Sequence, residues 1–392
     1  MVMYLSGVDN SVMIYLGVTM VCGGMVLCQV QKNCGMKKVP FCLGLFLLLI
    51  LGILCSATLR SSLGLIVFSV ACFAFCLYAH VQTMLPVDHK AVLITGSDSG
   101  IGHELAKYLD HLGFVVFAGV LNEKGPGAEQ LRKTCSKRLS ILQLDITNSG
   151  QIKEAYREVT KKLKNSALWG LINNAGILGF AAEGELLPMD TYKHCMDVNF
   201  FGPVQVSKTF LPLLRKSKGR LINISSMAGG IPMPRFAAYG ASKAALSMFS
   251  GVLRQELSKW GVKVAAIHPS GFKTSIQGTP DLWNKEEKNL LDNITPEVKE
   301  DYGEDYIHTL KMFLSNIPLF SGSDLSPVLH DVLHALLAKY PSGLYTPGKD
   351  AYKSLLIFCY TPLWFYDLYM STFQKSPCIP MALRTEQTKT KK

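Results

Sequence analysis

An apolar run of strand length, Lys90-Ala-Val-Leu-Ile-Thr95, leads straight into Gly96-Ser-Asp-Ser-Gly-Ile-Gly102. Glu104 to Leu112 follows with apolar residues at helical spacing. Strand, glycine turn and helix in that order leave few architectures open. Glycine clusters also make ordinary turns, but a dinucleotide site needs this context. The glycines admit the backbone close to a pyrophosphate, and the helix N-terminus offers free N–H groups at a positive dipole end.

The alternation continues downstream. Strands are predicted at Val115–Val120, Leu139–Leu144, Trp169–Asn173, Gly219–Ile224 and Val262–Ile267. Helices are predicted over 100–112, 149–164, 190–215 and 239–259. Such a chain forms an α/β fold, a Rossmann-type doubly wound parallel sheet with helices on both faces. Residues 278–325 break the pattern, being rich in Asn, Asp, Glu and Lys with apolar insertions. Leu355–Phe373 is apolar and aromatic, and its Pro362 and Asp367 argue against a membrane span. That leaves an interfacial segment or a helix covering the core.

Tyr239 and Lys243 are four residues apart in Tyr-Gly-Ala-Ser-Lys, and Ser226 lies thirteen residues upstream. Four residues is one helical turn, so the two side chains share a face. A phenol, with an ordinary pKa of about 10, is a poor base at neutral pH. A nearby ammonium favours its phenolate. The pair reads as a tuned acid/base, with the Ser226 hydroxyl in reach of the same reacting oxygen. Alone, such a pair is as well explained by a solvated helix face; the glycine turn changes the balance.

Thr95-Gly-x-x-x-Gly-x-Gly102, Asn173-Asn-Ala-Gly176, Asn199, Ser226, Tyr239 and Lys243 resemble the short-chain dehydrogenase/reductases in order and spacing, over about Lys90 to Gly348. The resemblance implies a catalytic set of Asn199, Ser226, Tyr239 and Lys243, with Asn199 holding a water near the lysine. It implies cofactor contacts from Gly96, Ser97, Ser99, Gly100, Ile101 and Gly102 of the turn. Val120 and Leu121 at the second strand's end, Asp145 and Ile146 on the adenine side, and Asn173, Asn174, Ala175 and Gly176 join them. Tyr239, Lys243, Pro269, Gly271 and Thr274 complete the set. Ser270 departs from the family, which has glycine after Pro269, and this puts the local backbone path in question. Residues 278–325 look like the family's substrate lid.

Leu85-Pro-Val-Asp88, Phe117-Ala-Gly-Val-Leu-Asn-Glu123, Glu300-Asp-Tyr-Gly303 and Tyr345-Thr-Pro-Gly348 are similar to the steroid-oxidising 17β-hydroxysteroid dehydrogenases of that family. This implies oxidation of estradiol to estrone and of testosterone to androstenedione, with 20α-hydroxyprogestin as a further substrate. The expected outcome is inactivation of sex steroids. Substrate contacts are expected from Ser226, Tyr239, Phe180, Met233 and Phe272, with Leu178, Ile231, Phe236, His268 and Trp283 nearby. A membrane retinol dehydrogenase is the alternative, and a catalytically silent lipid- or NAD-binding membrane protein is an alternative of another class. The family pairs through the helices holding Asn199 and Tyr239; an apolar face there serves a homodimer or a core equally.

Cofactor choice turns on the end of the second strand, Gly119-Val-Leu-Asn122. No Arg or Lys stands there to hold a 2′-phosphate, and Ser99 is uncharged, which favours NAD over NADP. The acid that would take a ribose hydroxyl is also missing from that position.

Three long stretches near the N-terminus, 10–31, 39–59 and 61–79, contain no Asp, Glu, Lys or Arg. Each approaches the roughly 20 residues that cross a bilayer. Asn10–Val30, Phe41–Thr58 and Ser62–Ala79 are therefore candidate spans, the last two forming a hairpin around Arg60. The expected organisation is a membrane anchor over 1–82, a catalytic domain over 83–350, and an apolar segment with a basic tail over 351–392. Lys32, Lys37 and Lys38 between the first two spans favour a cytosolic catalytic domain. The expected site is the endoplasmic reticulum membrane.

The net charge is +11. No basic stripe is interleaved with aromatics, so attraction to anionic lipid is the better reading than nucleic acid. Seven of the eleven cysteines precede residue 80, and no Cys-x-x-Cys occurs. Neither a metal site nor a disulfide framework is expected.

Overall fold

The computed structural model describes residues 46–55, 62–81, 83–163, 166–372 and 379–384, together with 17, 18, 20 and 21. The first candidate span, the basic loop after it and the end of the tail lie largely outside the described residues. Contacts divide the chain into two units. One is Met1–Pro86 with Leu337–Pro341, the other Val87–Leu336 with Ser342–Lys392.

In the smaller unit, residues 46–55 and Ser62–Val81 are helical. Leu48, Cys55, Phe68 and Cys72 are buried together, and Gly52 lies against the Phe68 ring. The remaining faces expose Phe46, Ile53, Ile66, Val70 and Phe73. Among the described residues no helix is long and apolar enough to cross a membrane. Leu85 N–H donates to Leu337 O at 2.7 Å, which ties the stretch after residue 82 to Leu337.

The larger unit is built on a parallel sheet of seven strands. These are β1 Lys90–Ile94, β2 Val115–Val120, β3 Leu139–Gln143, β4 Ala167–Asn173, β5 Arg220–Ile224, β6 Lys263–Ile267 and β7 Leu344–Tyr345. Their order is β3-β2-β1-β4-β5-β6-β7, with Val92 beside Val116 and Leu93 beside Leu171. The strand order reverses between β1 and β4, and ligands of such folds bind outside the carboxyl ends of the strands at that reversal. Helices α1 Gly100–His111, α2 Pro126–Thr134 and α3 Ser149–Lys162 follow the first three strands. Strands β1, β2, β4 and β5 are buried almost throughout, as sheets covered on both faces require. Phe117, Leu171, Phe210 and Leu221 are fully buried in the main core.

The predicted helix over 190–215 is interrupted. Helix α4 runs Met189–Met196, a π-helical turn covers Asp197–Phe201, and α5 runs Gly202–Ser217. The wider turn re-aims one side chain in an otherwise continuous helix, a device found at functional positions. Here it holds Asn199, which is fully buried. Helix α6, Ala237–Glu256, starts two residues before the predicted 239.

The segment that broke the alternation folds into α7 Pro280–Asn293, α8 Pro296–Tyr302 and α9 Glu304–Phe320. Thr279 and Thr295 cap α7 and α8, each followed by a proline whose fixed φ suits the first helical position. Helix α10, Ser326–Leu337, leads to β7, and α11 Ala351–Tyr360 and α12 Leu363–Ser371 close the unit.

Candidate active site

The glycine turn crosses the end of β1. Gly96 has φ +67°, and a Cβ there would lie 2.7 Å from Ala175 Cα. A Cβ on Gly102 would collide with Gly96 O and Asn174 Nδ2. Thr95 Oγ1 accepts from Asn174 N at 3.0 Å and Ala175 N at 3.1 Å. The Asn174 amide donates to Thr95 O at 3.0 Å and Gly96 O at 2.9 Å. The ends of β1 and β4 are thereby fastened side by side, leaving the N-terminal turn of α1 free to face an anion. This cradle has room for backbone alone, and it fits a nicotinamide dinucleotide. Gly96 to Gly102, Val120, Leu121, Asp145, Ile146 and the Asn174–Gly176 wall would hold it.

One contact in the turn supplies the acid missing from the second strand's end. Both Asp98 carboxylate oxygens accept from Leu121 N, at 3.0 and 2.9 Å, and Oδ1 also accepts from Asn122 N at 3.3 Å. The negative charge therefore arrives from the glycine turn. Its signal, an acid between Gly96 and Gly100, was visible in the sequence without a role. Ser99 Oγ meets Ser275 Oγ at 2.5 Å, and a Cβ on Gly100 would sit 3.2 Å from Thr274 Cβ. The loop after β6 thus lies over the turn.

The four predicted catalytic residues come together past the ends of β4 and β5. Lys243 is buried and donates from Nζ to Ile224 O at 3.0 Å. Its Nζ lies 5.9 Å from the Tyr239 ring centre. Asn199 Oδ1 accepts from Ile177 N at 2.9 Å, and Nδ2 donates to Ile177 O at 2.9 Å and Ser242 Oγ at 3.0 Å. Ser242 Oγ donates in turn to Tyr239 O at 2.7 Å. Gly176 separates the two polar groups: a Cβ there would be 3.0 Å from both Asn199 Oδ1 and Lys243 Nζ. Ser226, extended at the start of a short turn, accepts from Ala228 N at 3.2 Å and hydrogen-bonds Tyr239.

Burial dominates the electrostatics. It pushes Tyr239 up to about 12, with the Ser226 hydrogen bond pulling the other way. It pushes Lys243 down to about 8. The expectation that the ammonium alone favours the phenolate is thus outweighed, because both groups have lost water. Behind the lysine is a polar chain that the sequence did not announce. His268 Nε2 meets Ser247 Oγ at 2.8 Å, Ser247 Oγ meets Ser225 Oγ at 2.8 Å, and both serines donate to Lys243 O at 2.8 Å. Burial first, and Lys243 second, lower His268 to about 4, so its imidazole is neutral at pH 7.

Other predicted contacts separate. The Asn173 side chain is in the core, donating to Ser207 Oγ at 2.9 Å and Asn223 Oδ1 at 2.8 Å. Successive strand side chains point to opposite faces, so Asn173 braces the sheet while Asn174 faces the turn. Phe180 is buried in the cluster that includes Tyr239, with Leu178, Phe236 and Trp283. Met233 and Ile231 pack instead against α11 and α12. Phe272 packs on Gly322 and Gly348. Ser270 finds its place against Gly348, whose φ of +102° and missing Cβ leave room for the hydroxyl. Pro269 O accepts from Met227 N at 3.0 Å, and Gly271 O from Gly322 N at 2.9 Å.

Helices α7 and α9 pack on this cluster. Leu290, Ile307, Leu310 and Leu314 are buried with Phe180 and Leu178. Tyr306 donates to Glu183 Oε1 at 2.5 Å, and Arg235 Nε donates to the same oxygen at 3.2 Å. Arg235 also stacks over Phe313, 4.7 Å from its ring centre.

Residues 90–285 match the short chain dehydrogenase family. The chain belongs to that family. It is 53% identical to 17-beta-hydroxysteroid dehydrogenase type 2 of Homo sapiens over 386 residues, 98% of each chain. It is 50% identical to estradiol 17-beta-dehydrogenase 2 of Rattus norvegicus, over 96% of this chain and 98% of that protein. Retinol dehydrogenase 16 of Homo sapiens is less similar, 38% identical over 76% of this chain and 93% of that protein. Among solved structures, 3-ketoacyl-(acyl-carrier-protein) reductase from Brucella melitensis complexed with NADH aligns with a TM-score of 0.51 at 20% identity, over 66% of this chain and 95% of that one. A short chain dehydrogenase from Burkholderia cenocepacia in complex with NADP gives 0.52 at 21%, over 71% and 96%. These two likenesses show the fold.

Proposed function

We propose that this chain is a membrane-anchored dehydrogenase that uses NAD to oxidise 17β-hydroxysteroids, estradiol and testosterone among them, to 17-ketosteroids. The observation that carries the reading is the joint placement of Ser226, Tyr239, Lys243 and Asn199 beside the glycine cradle. Ser226 holds the substrate hydroxyl against Tyr239. Tyr239, in its phenolate form, would remove the hydroxyl proton, and a nicotinamide held by the glycine cradle would supply the hydride acceptor. Lys243 would carry positive charge beside the phenolate and is placed to help hold the cofactor. Asn199 keeps the π-turn fixed to Ile177 and, with a water, hands the proton on from the lysine. A dry site makes each of these interactions stronger than it is in water.

NAD is favoured over NADP because the Asp98 carboxylate sits at the end of β2, where a 2′-phosphate would meet negative charge. The anchor is residues 1–82, and the apolar outer faces of 46–55 and Ser62–Val81 support it. The proposed place is the endoplasmic reticulum membrane with the catalytic unit in the cytosol. A homodimer through α5 and α6 is supported by exposed Phe201, Met248 and Val252. The test is initial rate in membranes holding the chain, with NAD and NADP each against estradiol, testosterone and all-trans-retinol. NAD-dependent steroid turnover is expected. Preference for retinol would move the substrate to that class, and no loss of turnover in Tyr239→Phe would sink the dehydrogenase reading.

A further inference from the structure

Helices α11 and α12 have a wrong-sided surface for a soluble protein. Their inner face is satisfied. Tyr366 and Met370 are buried with Ile231, and Met227, Met233 and Leu355 pack around them. The Tyr366 hydroxyl donates to Pro232 O at 2.6 Å. The loop gripped in this way begins one residue after Ser226, so the hairpin forms the outer wall of the loop that follows the proposed substrate-orienting serine. The outward surface is also largely apolar, Lys353 and Asp367 excepted. Tyr360 is 82% exposed, Trp364 67%, Leu363 65% and Leu368 60%. Soluble monomers seldom leave a contiguous apolar patch of more than a few hundred Å² in water.

We infer that this outer face docks on an anionic lipid surface and sets the substrate loop at the bilayer boundary, as the steroid's entrance. Two features choose lipid over a protein partner. Trp364, Tyr352 and Tyr360 are exposed together, and amphipathic rings of this kind sit at headgroup level. On the hairpin the exposed Lys349 and Lys353 are balanced by the exposed Asp350 and Asp367, and the positive excess comes from the chain beyond Ser371, where Lys375, Lys389, Lys391 and Lys392 outnumber the one acid, Glu386. Anionic headgroups attract such a set. An apolar alcohol dissolved in the bilayer then reaches Met233 and Ser226 without crossing water. The inference deepens the membrane reading above and rests on it for the position of the catalytic unit.

The chain carries its own reporter, because its four tryptophans are Trp169, Trp260, Trp283 and Trp364. The full chain is placed in vesicles of phosphatidylcholine and phosphatidylserine brominated near the headgroup, and tryptophan emission is read. Quenching of part of the emission is expected, with most of the quenchable part lost in Trp364→Phe. Equal quenching in wild type and Trp364→Phe overturns the docking, as does cross-linking of two chains through α12 without quenching. Leu363→Asp with Leu368→Asp is expected to raise KM for a bilayer-dissolved steroid several-fold and to leave turnover of a small water-soluble secondary alcohol unchanged. An unchanged steroid KM overturns the entrance. Failure of the anchor reading shows separately, as release of the chain from native membranes by alkaline carbonate.

Discussion

Asp98 and Leu121 are joined across the mouth of the cofactor cradle: both oxygens of the carboxylate accept from one backbone N–H, at 3.0 and 2.9 Å. The bond does two things at once. It fixes the glycine turn to the end of β2, and it leaves a negative charge where an adenosine ribose would lie. Asp98→Asn keeps an acceptor for Leu121 and removes the charge. The expected outcome is a rise in the ratio of NADP to NAD turnover, measured as kcat/KM, on the order of tenfold, or about 1.4 kcal/mol. A ratio that does not move would place the discrimination elsewhere.

Ser226 opposes the effect of burial on Tyr239. Without it the phenol must lose its proton with less help. Ser226→Ala is therefore expected to move the ascending limb of the kcat/KM profile for alcohol oxidation to higher pH. The rate at neutral pH falls by roughly 10²-fold, a usual size for a group that orients a proton transfer. The measurement is the pH–rate profile. A simple drop at every pH, with the limb in place, would mean that Ser226 acts on binding alone.

Lys243 carries a stability consequence of opposite sign to its catalytic one. Its folded pKa, about 8, lies below the ordinary 10.5. Below pH 8 the lysine is charged in both folded and unfolded chains, and burial of that charge costs stability in full. Between 8 and 10.5 the unfolded chain binds more protons, so stability rises with pH. Above 10 the raised phenol of Tyr239 works the other way, because the folded chain then holds the extra proton. Over pH 8 to 10 the lysine gain is about 2 kcal/mol. Thermal melts should show wild type gaining a few degrees relative to Lys243→Met across that window. Parallel curves would show that the lysine is not desolvated.

The sheet was legible because buried parallel strands read as apolar runs and glycine turns punctuate them. Tyr239 and Lys243 were legible because they share one helical turn. Asn199 was recognised as a residue, but not its π-turn, since a wider turn of helix leaves the apolar spacing on each side nearly intact. Asn173 and Asn174 look alike in a sequence, while the structure sends the Asn173 amide into the core and the Asn174 amide to the glycine turn. For Phe272, proximity in sequence to Pro269 does not say that the loop packs its ring on Gly322 and Gly348. Asp98 and Glu183 were missed because their partners, Leu121 and Tyr306, lie 23 and 123 residues away.

Ser270 and Gly348 are coupled in the loop after β6. The serine that departs from the family fits only because Gly348 has no side chain. Gly348→Ala should destabilise strongly, through the collision with Ser270 and through its φ of +102°. Ser270→Gly in the same chain removes the first term and not the second. A double-mutant cycle read by thermal or denaturant unfolding should give a coupling of about 1 kcal/mol or more. Additive single effects would mean that the loop backbone, not the hydroxyl, sets the cost.

Tyr306 ties α9, part of the segment proposed as a substrate lid, to the loop after β4. Its hydroxyl and Arg235 Nε share Glu183 Oε1, and Glu183 Oε2 is buried with no partner among the described residues. Burial, then the bond to Glu183, raises the phenol to about 12, so it stays a donor at any working pH. Tyr302 donates in parallel to Glu185 Oε2 at 3.1 Å. Two phenols on these helices thus face two carboxylates in the loop after β4, and Arg235 pairs with one of them, Glu183, at 3.2 Å. Tyr306→Phe removes one hydroxyl and keeps the ring, which preserves the apolar packing with Leu178 and Phe180. The lid should then open more often. Limited proteolysis between α8 and α9 is expected to speed up several-fold, and KM to rise more than kcat falls. Arg235→Ala should act in the same direction and more strongly, because it leaves a half-buried carboxylate with its charge uncompensated. Unaltered cleavage in both variants would mean that the apolar contacts of Ile307, Leu310 and Leu314 hold the lid without the clasp.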